Sequence, residues 1–286
     1  ADPLSARYIE SYKGSNTLRS GGAQLGGAIN LVTPTGRTAA DDTVLQMEGG
    51  SFGSLRGSAQ LARVSGDWDV FAAVSALQSD GYRDHSEQGQ SRVTLNGGRS
   101  FGEDREVRLI FQAADIKQDI PGALTLDQAL TTPEMANPGA ITGDQARDLT
   151  LKRLTLQTRW RLNESTVFEG AVWGWEKELW HPIFQVLHTN SETAGLFGRF
   201  DWSGRVGGMR ADLFYGLSYR DGQIDSQRYL NLGLPYAQTQ WQAPADAKPE
   251  EKAWADKGYS WQTRLWIDDM YMITIVQTQA YKATGD

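Results

Sequence analysis

From about Thr43 onward the chain alternates apolar and polar residues in short runs, the period of two that sends successive side chains to opposite faces of a strand. Leu149–Leu162 carries the pattern most cleanly. Leu154, Leu156, Thr158, Trp160 and Leu162 fall on one face, and Arg153, Thr155, Gln157, Arg159 and Arg161 on the other. Met209–Arg220 repeats it, with Met209, Ala211, Leu213, Tyr215, Leu217 and Tyr219 against Arg210, Asp212, Gly216, Ser218 and Arg220; Phe214 breaks the rule. Val167–Leu179 sets Val167, Ala171, Trp173 and Trp175 on one side. Weaker versions run through Thr43–Gly50, Leu55–Val64, Trp68–Gln78, Ser91–Ser100, Arg105–Ala114, Ala194–Trp202, Tyr259–Asp269 and Thr274–Lys282. Together they predict about eleven strands, each near the ~9–11 residues that a tilted membrane strand needs. The windows are rich in Thr, Val, Trp, Tyr and Gly, which suits strands rather than helices. One helical stretch is predicted, at Thr125–Leu130.

The connections carry a second pattern. Ser65–Asp67, Gly102–Asp104 and Asn163–Ser165 are short, as is the Gly-rich Ser203–Gly208; Ser79–Gln90, Asp119–Asp148, Trp180–Ser191 and Gly222–Lys257 read as long. Every strand reverses direction, so the long connections fall on one rim and the short turns on the other. Transmembrane β-barrels have this asymmetry, with the long loops outside and the short turns in the periplasm. Thr43 then starts its strand at the periplasmic end, and Ser51–Ser54 makes a short outer connection. A soluble sandwich buries its apolar face under a second sheet and has no need of a one-rim bias. A propeller would show a repeat of about 40–45 residues, and none is present.

Composition narrows the class. The chain has 286 residues, a net charge of -7 and no Cys. No apolar run is long enough for a transmembrane helix, while a barrel strand is apolar on one face only, so a negative mean hydropathy is compatible with a membrane. The acidic balance argues against a nucleic-acid partner. Absence of Cys excludes disulfides and thiolate metal sites. No H-E-x-x-H spacing and no triad context surrounds His85, His181 or His188, all in predicted loops, so no catalytic residue, metal site or cofactor is expected and the protein is read as a non-enzyme.

Ahead of the strands lies a Gly-rich block, Gly21-Gly22 and Gly26-Gly27 before Ala28-Ile29-Asn30-Leu31-Val32-Thr33. A phosphate-binding loop would need Gly-x-x-x-x-Gly-Lys-Ser/Thr opening a helix, and neither is there. Glycines here permit positive φ and close backbone approach in a compact segment. An open sheet of membrane strands leaves backbone groups unpaired in hydrocarbon, and bacterial barrels close with even strand numbers. About eleven strands therefore predict a piece of a longer protein.

Tyr8-Ile9-Glu10-Ser11-Tyr12-Lys13-Gly14-Ser15-Asn16 followed by Gly21–Thr33 resembles the end of the plug domain of TonB-dependent outer-membrane receptors. Phe52-Gly53 and Gly81-Tyr82-Arg83-Asp84-His85-Ser86 are similar to the same family, and Pro121–Thr125 with Gln128-Ala129 to its ferric-citrate and siderophore branch. Lys13 stands where the family usually has Arg, and Ser20 where it usually has Tyr. The resemblance implies residues 1–38 as the C-terminal part of a plug and 39–286 as the N-terminal portion of an antiparallel transmembrane β-barrel. It implies a receptor in the outer membrane of a Gram-negative bacterium, importing a ferric chelate and coupled to TonB through the missing N-terminal part of the plug. Alternatives are a passive porin-like channel, a receptor of the same fold for haem, cobalamin or a carbohydrate, and a soluble β-rich binding module.

A ferric chelate is commonly anionic and rich in oxygen, which suits the planar donor fork of Arg. Arg19, beside the Gly-rich turn, is the leading ligand-binding candidate, followed by Arg83, His85 and Gln185; packing of Arg19 against wall carboxylates is the plainer alternative. Trp180, Trp173 and Trp175 are assigned to an interfacial aromatic girdle. Arg153, Arg159, Arg161, Arg210 and Arg220 are assigned to the lumen wall.

Overall fold

The computed structural model describes residues 6–13, 26–231, 247–249, 252–253 and 256. Two strands, β1 (Tyr8–Lys13) and β2 (Gly27–Val32), form an antiparallel pair of their own. The rest is one nine-stranded antiparallel sheet: β3 (Thr43–Gly49), β4 (Leu55–Ser65), β5 (Trp68–Ser79), β6 (Gln88–Phe101), β7 (Arg105–Gln118), β8 (Asp148–Asn163), β9 (Thr166–Pro182), β10 (Gln185–Val206) and β11 (Met209–Leu230). Spatial order equals chain order, so the sheet is a simple meander. β3 and β11 are its edges, and among the described residues the sheet does not close. Nine of the sequence-predicted strands correspond to β3–β11. The two predicted at Tyr259–Asp269 and Thr274–Lys282 lie outside the described residues.

Residues directly opposite one another across a ladder point to the same face, so register turns the sequence alternation into two surfaces. One row reads Val70, Gly97, Leu109, Leu156, Val172, Leu196, Tyr219 across β5–β11. Its large members are exposed, including Leu109 and Leu156. The neighbouring row on the opposite face reads Phe71, Asn96, Ile110, Thr155, Trp173, Gly195, Arg220. The sheet therefore has a continuous apolar, uncovered face and a mixed polar face. Arg153, Arg159, Arg161, Arg210 and Arg220 all lie on the polar one, as the alternation requires.

Short turns follow from local chemistry. Gly207 and Gly208 join β10 to β11 with both φ positive, at 59° and 85°, the requirement of a two-residue hairpin turn. A helix α1 (Leu126–Thr131) forms where the sequence predicts one. Its N-cap Thr125 and Gln128 make a reciprocal capping box. A second helix, α2 (Pro138–Thr142), was not expected; Asn137 as N-cap and Pro138 at the first helical position are its local signal.

Three expectations are corrected. Trp180–Ser191 is not a long loop: β9 and β10 run into it as a hairpin joined only by Ile183 and Phe184, which places His181 and His188 in strands. Likewise β11 continues past Gly222 to Leu230. Beyond the apolar belt both faces of these strands are polar, so the period of two fades while the hydrogen-bond ladder goes on. Third, Trp173 pairs with Thr155 and Trp175 with Arg153, so both face the polar side and cannot belong to a lipid-facing girdle; Trp180, opposite Asp148, lies on the other face.

The core sits where the segment after β2 meets the polar face: Ala62, Phe71 and Ala73 are buried, with Ala39 packed against them. If the exposed apolar face touches lipid, Leu156→Arg should destabilise the full-length protein by about 2–4 kcal/mol in urea unfolding from vesicles, against little for Gln157→Arg one residue away on the other face. Equal effects at the two positions would remove the facial assignment.

Candidate functional site

Two assemblies use the polar face and the long-loop rim. The first fixes the segment Pro34–Ala39 to the wall. Asp69 on β5, Gly98 on β6 and Arg108 on β7 lie in one pairing row. A Cβ at Gly98 would collide with the Arg108 guanidinium, so glycine opens a notch through which Arg108 crosses β6 to reach Asp69. Arg108 Nη2 meets Asp69 Oδ2 at 2.5 Å and its Nη1 meets Oδ1 at 3.2 Å, a two-pronged pair. Arg108 Nε donates to Asn96 Oδ1 at 3.0 Å, and Nη1 also meets Glu106.

This buried cluster holds the incoming chain. Asn96 Nδ2 donates to the Pro34 carbonyl at 2.8 Å, and the Gly36 amide donates to Asp69 Oδ2 at 2.8 Å. Arg37 approaches Asp69 at 3.6 Å and donates to the Gly66 carbonyl at 2.6 Å. The Asp69 carboxylate is fully buried and Arg108 nearly so, so every lone pair matters: a charge out of water is tolerated only when paired and hydrogen-bonded. Sequence reasoning missed this cluster. Its one signal was a glycine inside a strand, Gly98, which marks a close approach.

The second assembly is the loop cluster at the long-loop rim, and three of the four predicted ligand residues fall in it. Arg83 donates from Nε to Met135 O at 3.1 Å, from Nη1 to Gly122 O at 2.9 Å and from Nη2 to Pro121 O at 3.3 Å. His85, with φ 53°, donates from Nε2 to Gln145 O at 3.0 Å. Both side chains thus fasten the β5–β6 loop to the β7–β8 loop. His181 and Pro182 then tie that loop to the β9–β10 hairpin. His181 Nδ1 donates to Ala146 O at 2.7 Å, and the Ala146 amide to Pro182 O at 3.0 Å. Gln185 opens β10, its carbonyl accepting from the Ile183 amide at 2.8 Å. Asn231 bridges Gly143 O and Ile183 O at 2.6 and 2.7 Å. A hollow of about 400 Å³ lies between these loops, with Asn137, Gln145, Phe184 and Asn231 among its lining. Its polar side chains are amides and the Thr142 hydroxyl rather than cations. Burial raises the Asp119 carboxyl above its ordinary range, and the nearby His85 imidazole opposes the rise. Arg19 lies outside the described residues.

Further down the polar face are Arg153, over the Trp173 ring at 5.9 Å, and a network in which Arg199 meets Glu169 at 2.5 Å and Asp201 at 2.8 Å while Arg159 shares Glu169 at 3.3 Å. Among the described residues no group of three or more His, Asp or Glu is arranged to hold a metal ion.

No protein-family model matches the sequence. Solved structures match well in fold and weakly in sequence. The pyoverdine outer-membrane receptor FpvA from Pseudomonas aeruginosa PAO1 aligns at TM-score 0.67 and 14% identity, over 81% of this chain and 37% of the receptor. BauA, the ferric preacinetobactin receptor from Acinetobacter baumannii, aligns at 0.63 and 15%, over 77% and 36%. The ferric citrate transporter FecA aligns at 0.61 and 16%, over 77% and 35%. The chain thus has the strand-meander fold of outer-membrane receptor barrels. More narrowly, these structural neighbours are receptors and a transporter named for ferric preacinetobactin, pyoverdine and ferric citrate, and the chain spans little more than a third of their length.

Removing one partner of a buried ion pair strands the other. Arg108→Met should therefore cost about 3–5 kcal/mol, and adding Asp69→Asn to it should cost much less than the sum of the two single changes. Denaturant unfolding of the full-length protein measures both. Additive costs would mean that the two side chains do not act as a pair.

Proposed function

We propose that the chain is part of a receptor in the outer membrane of a Gram-negative bacterium that imports a ferric chelate, ferric citrate or a siderophore. In this reading residues 1–38 form the last part of a plug and residues 39–286 the first portion of the barrel wall. The observation that carries the reading is the pairing of two features. An uncovered apolar face runs across nine strands, and the segment leading out of β2 is pinned to the opposite, polar face by Asp69, Asn96 and Arg108. A wall wet on the inside with a chain anchored against it suits a plugged pore better than an open one. The chemistry on the bound side of the structural neighbours supports the substrate class, since their names specify ferric preacinetobactin, pyoverdine and ferric citrate.

Arg19, Arg83, His85 and Gln185 remain the proposed ligand-facing set, with a division of labour. Arg83 and His85 spend their donors on loop carbonyls, so their part is to hold the loop rim in the shape that receives the chelate. Arg19 supplies the charge. Uptake is coupled to TonB through plug residues upstream of this chain. A full-length receptor should bind ferric citrate or one of a panel of ferric siderophores saturably in calorimetry, and Arg19→Ala should weaken that binding about tenfold or more, as loss of a charge-assisted contact does. No saturable heat with any ferric chelate would remove the iron assignment and leave the fold standing.

A further inference from the structure

The lipid-side surface near the short turns carries two arginines that no carboxylate in the described structure meets. Arg99 is two residues from the end of β6, and Arg105 is the first residue of β7. Trp68 opens β5 directly opposite Arg99, and Trp160 lies opposite Arg105 three residues before β8 ends. Phe101 is paired with Arg105. All five are on the face that carries Leu109, Leu156 and Val172, and all five are exposed.

The rings and cations are in contact. The Arg99 guanidinium sits 5.1 Å from the Trp68 ring centroid and 4.7 Å from that of Phe101, and Arg105 sits 5.8 Å from Trp160. Aromatic faces hold a guanidinium in place and leave its N–H groups pointing away from the ring, without neutralising its charge. Neither arginine forms an ion pair among the described residues, whereas Arg161, at the same rim on the opposite face, has Asp104 at 3.9 Å. Long cationic side chains at the edge of a hydrophobic belt lay their stems on the apolar surface and carry the charge to headgroup depth. An unneutralised pair there needs an anion from outside the protein. The short-turn rim is the periplasmic one, where the leaflet consists of glycerophospholipid.

We infer that Trp68, Arg99, Phe101, Arg105 and Trp160 form a docking site for the phosphate of an anionic glycerophospholipid in the periplasmic leaflet. The two guanidinium groups bind the phosphate, and the aromatic rings pack beside the glycerol and upper acyl chains. The inference rests on the membrane reading given above and is independent of which chelate is carried.

The test is native mass spectrometry of the full-length protein released from detergent after equilibration with phosphatidylglycerol, phosphatidylcholine or lipopolysaccharide. Phosphatidylglycerol retention should fall roughly fivefold for Arg99→Gln or Arg105→Gln and about 30-fold for both, the loss expected for one and two interfacial charges. Arg161→Gln should leave it unchanged. In the unsubstituted protein, a photoactivatable phosphatidylglycerol should crosslink to the peptides containing Trp68 and Arg99–Arg105 in preference to a phosphatidylcholine analogue, a readout that does not depend on any variant folding. Equal retention in the double variant, or crosslinking indifferent to headgroup charge, would overturn the site; so would selective loss of lipopolysaccharide instead. Failure of the membrane reading itself looks different, since no lipid of any class would then be retained by any form.

Discussion

A backbone N–H or C=O left unpaired in hydrocarbon costs several kcal/mol, so a chain can cross lipid only if its ladders run without a gap. Inside the sheet β4 to β10 meet that demand in the simplest way available, each pairing antiparallel with both of its chain neighbours and with only one register irregularity, at Arg161–Asn163, while β3 and β11 are paired on one side among the described residues. The rest follows from this continuity. Unbroken register forces every second residue to one face, and the sequence has only to supply Leu, Val and aromatic side chains at those positions. Turns of two or three residues at one rim keep neighbouring strands locked, while the opposite rim carries the long connection between β7 and β8.

The Asp69–Arg108 pair lies in a dry part of the polar face. In low dielectric a paired and fully hydrogen-bonded ion pair fixes geometry, and here it fixes three strands and a passing chain together. The segment Pro34–Ala39 is thereby held as part of the wall rather than as part of whatever lies upstream. Detaching that segment would remove the Gly36 amide from Asp69 Oδ2 and the Pro34 carbonyl from Asn96, leaving buried polar groups short of partners while Arg108 still neutralises the carboxylate.

Much of the fold was legible, and the reason is the same continuity. Where one face of a strand is apolar and the other wet, as at Leu154–Leu162 or Leu213–Tyr219, alternation alone located the element and its orientation. Legibility failed where polar residues interrupt the alternation: the end of β9, Trp180–Pro182, and the start of β10, Gln185–Ser191, read as a loop because His181, Gln185, His188, Thr189 and Asn190 leave too few apolar residues to count. Trp173 and Trp175 misled for the opposite reason, since an aromatic on the polar face has the same composition signal as one in a girdle and only register separates them. The site was less readable than the fold. Gly98, Asp69 and Arg108 are spread over three strands, and nothing in their spacing announces that one side chain reaches through a notch left by another. Arg83 and His85 were visible as polar loop residues; their carbonyl partners, 38 to 60 positions away, were not.

The absence of Cys in this chain makes its central claim directly measurable. Nitroxide side chains placed one at a time from Arg153 to Trp160, in full-length protein reconstituted into lipid vesicles, report collisions with dissolved oxygen, which concentrates in lipid, and with a polar nickel chelate, which stays in water. Oxygen accessibility should peak at Leu154, Leu156, Thr158 and Trp160 and dip at the residues between them, with the nickel chelate out of phase. A profile without that period of two, or nickel access at Leu156 equal to that at Gln157, would contradict the account.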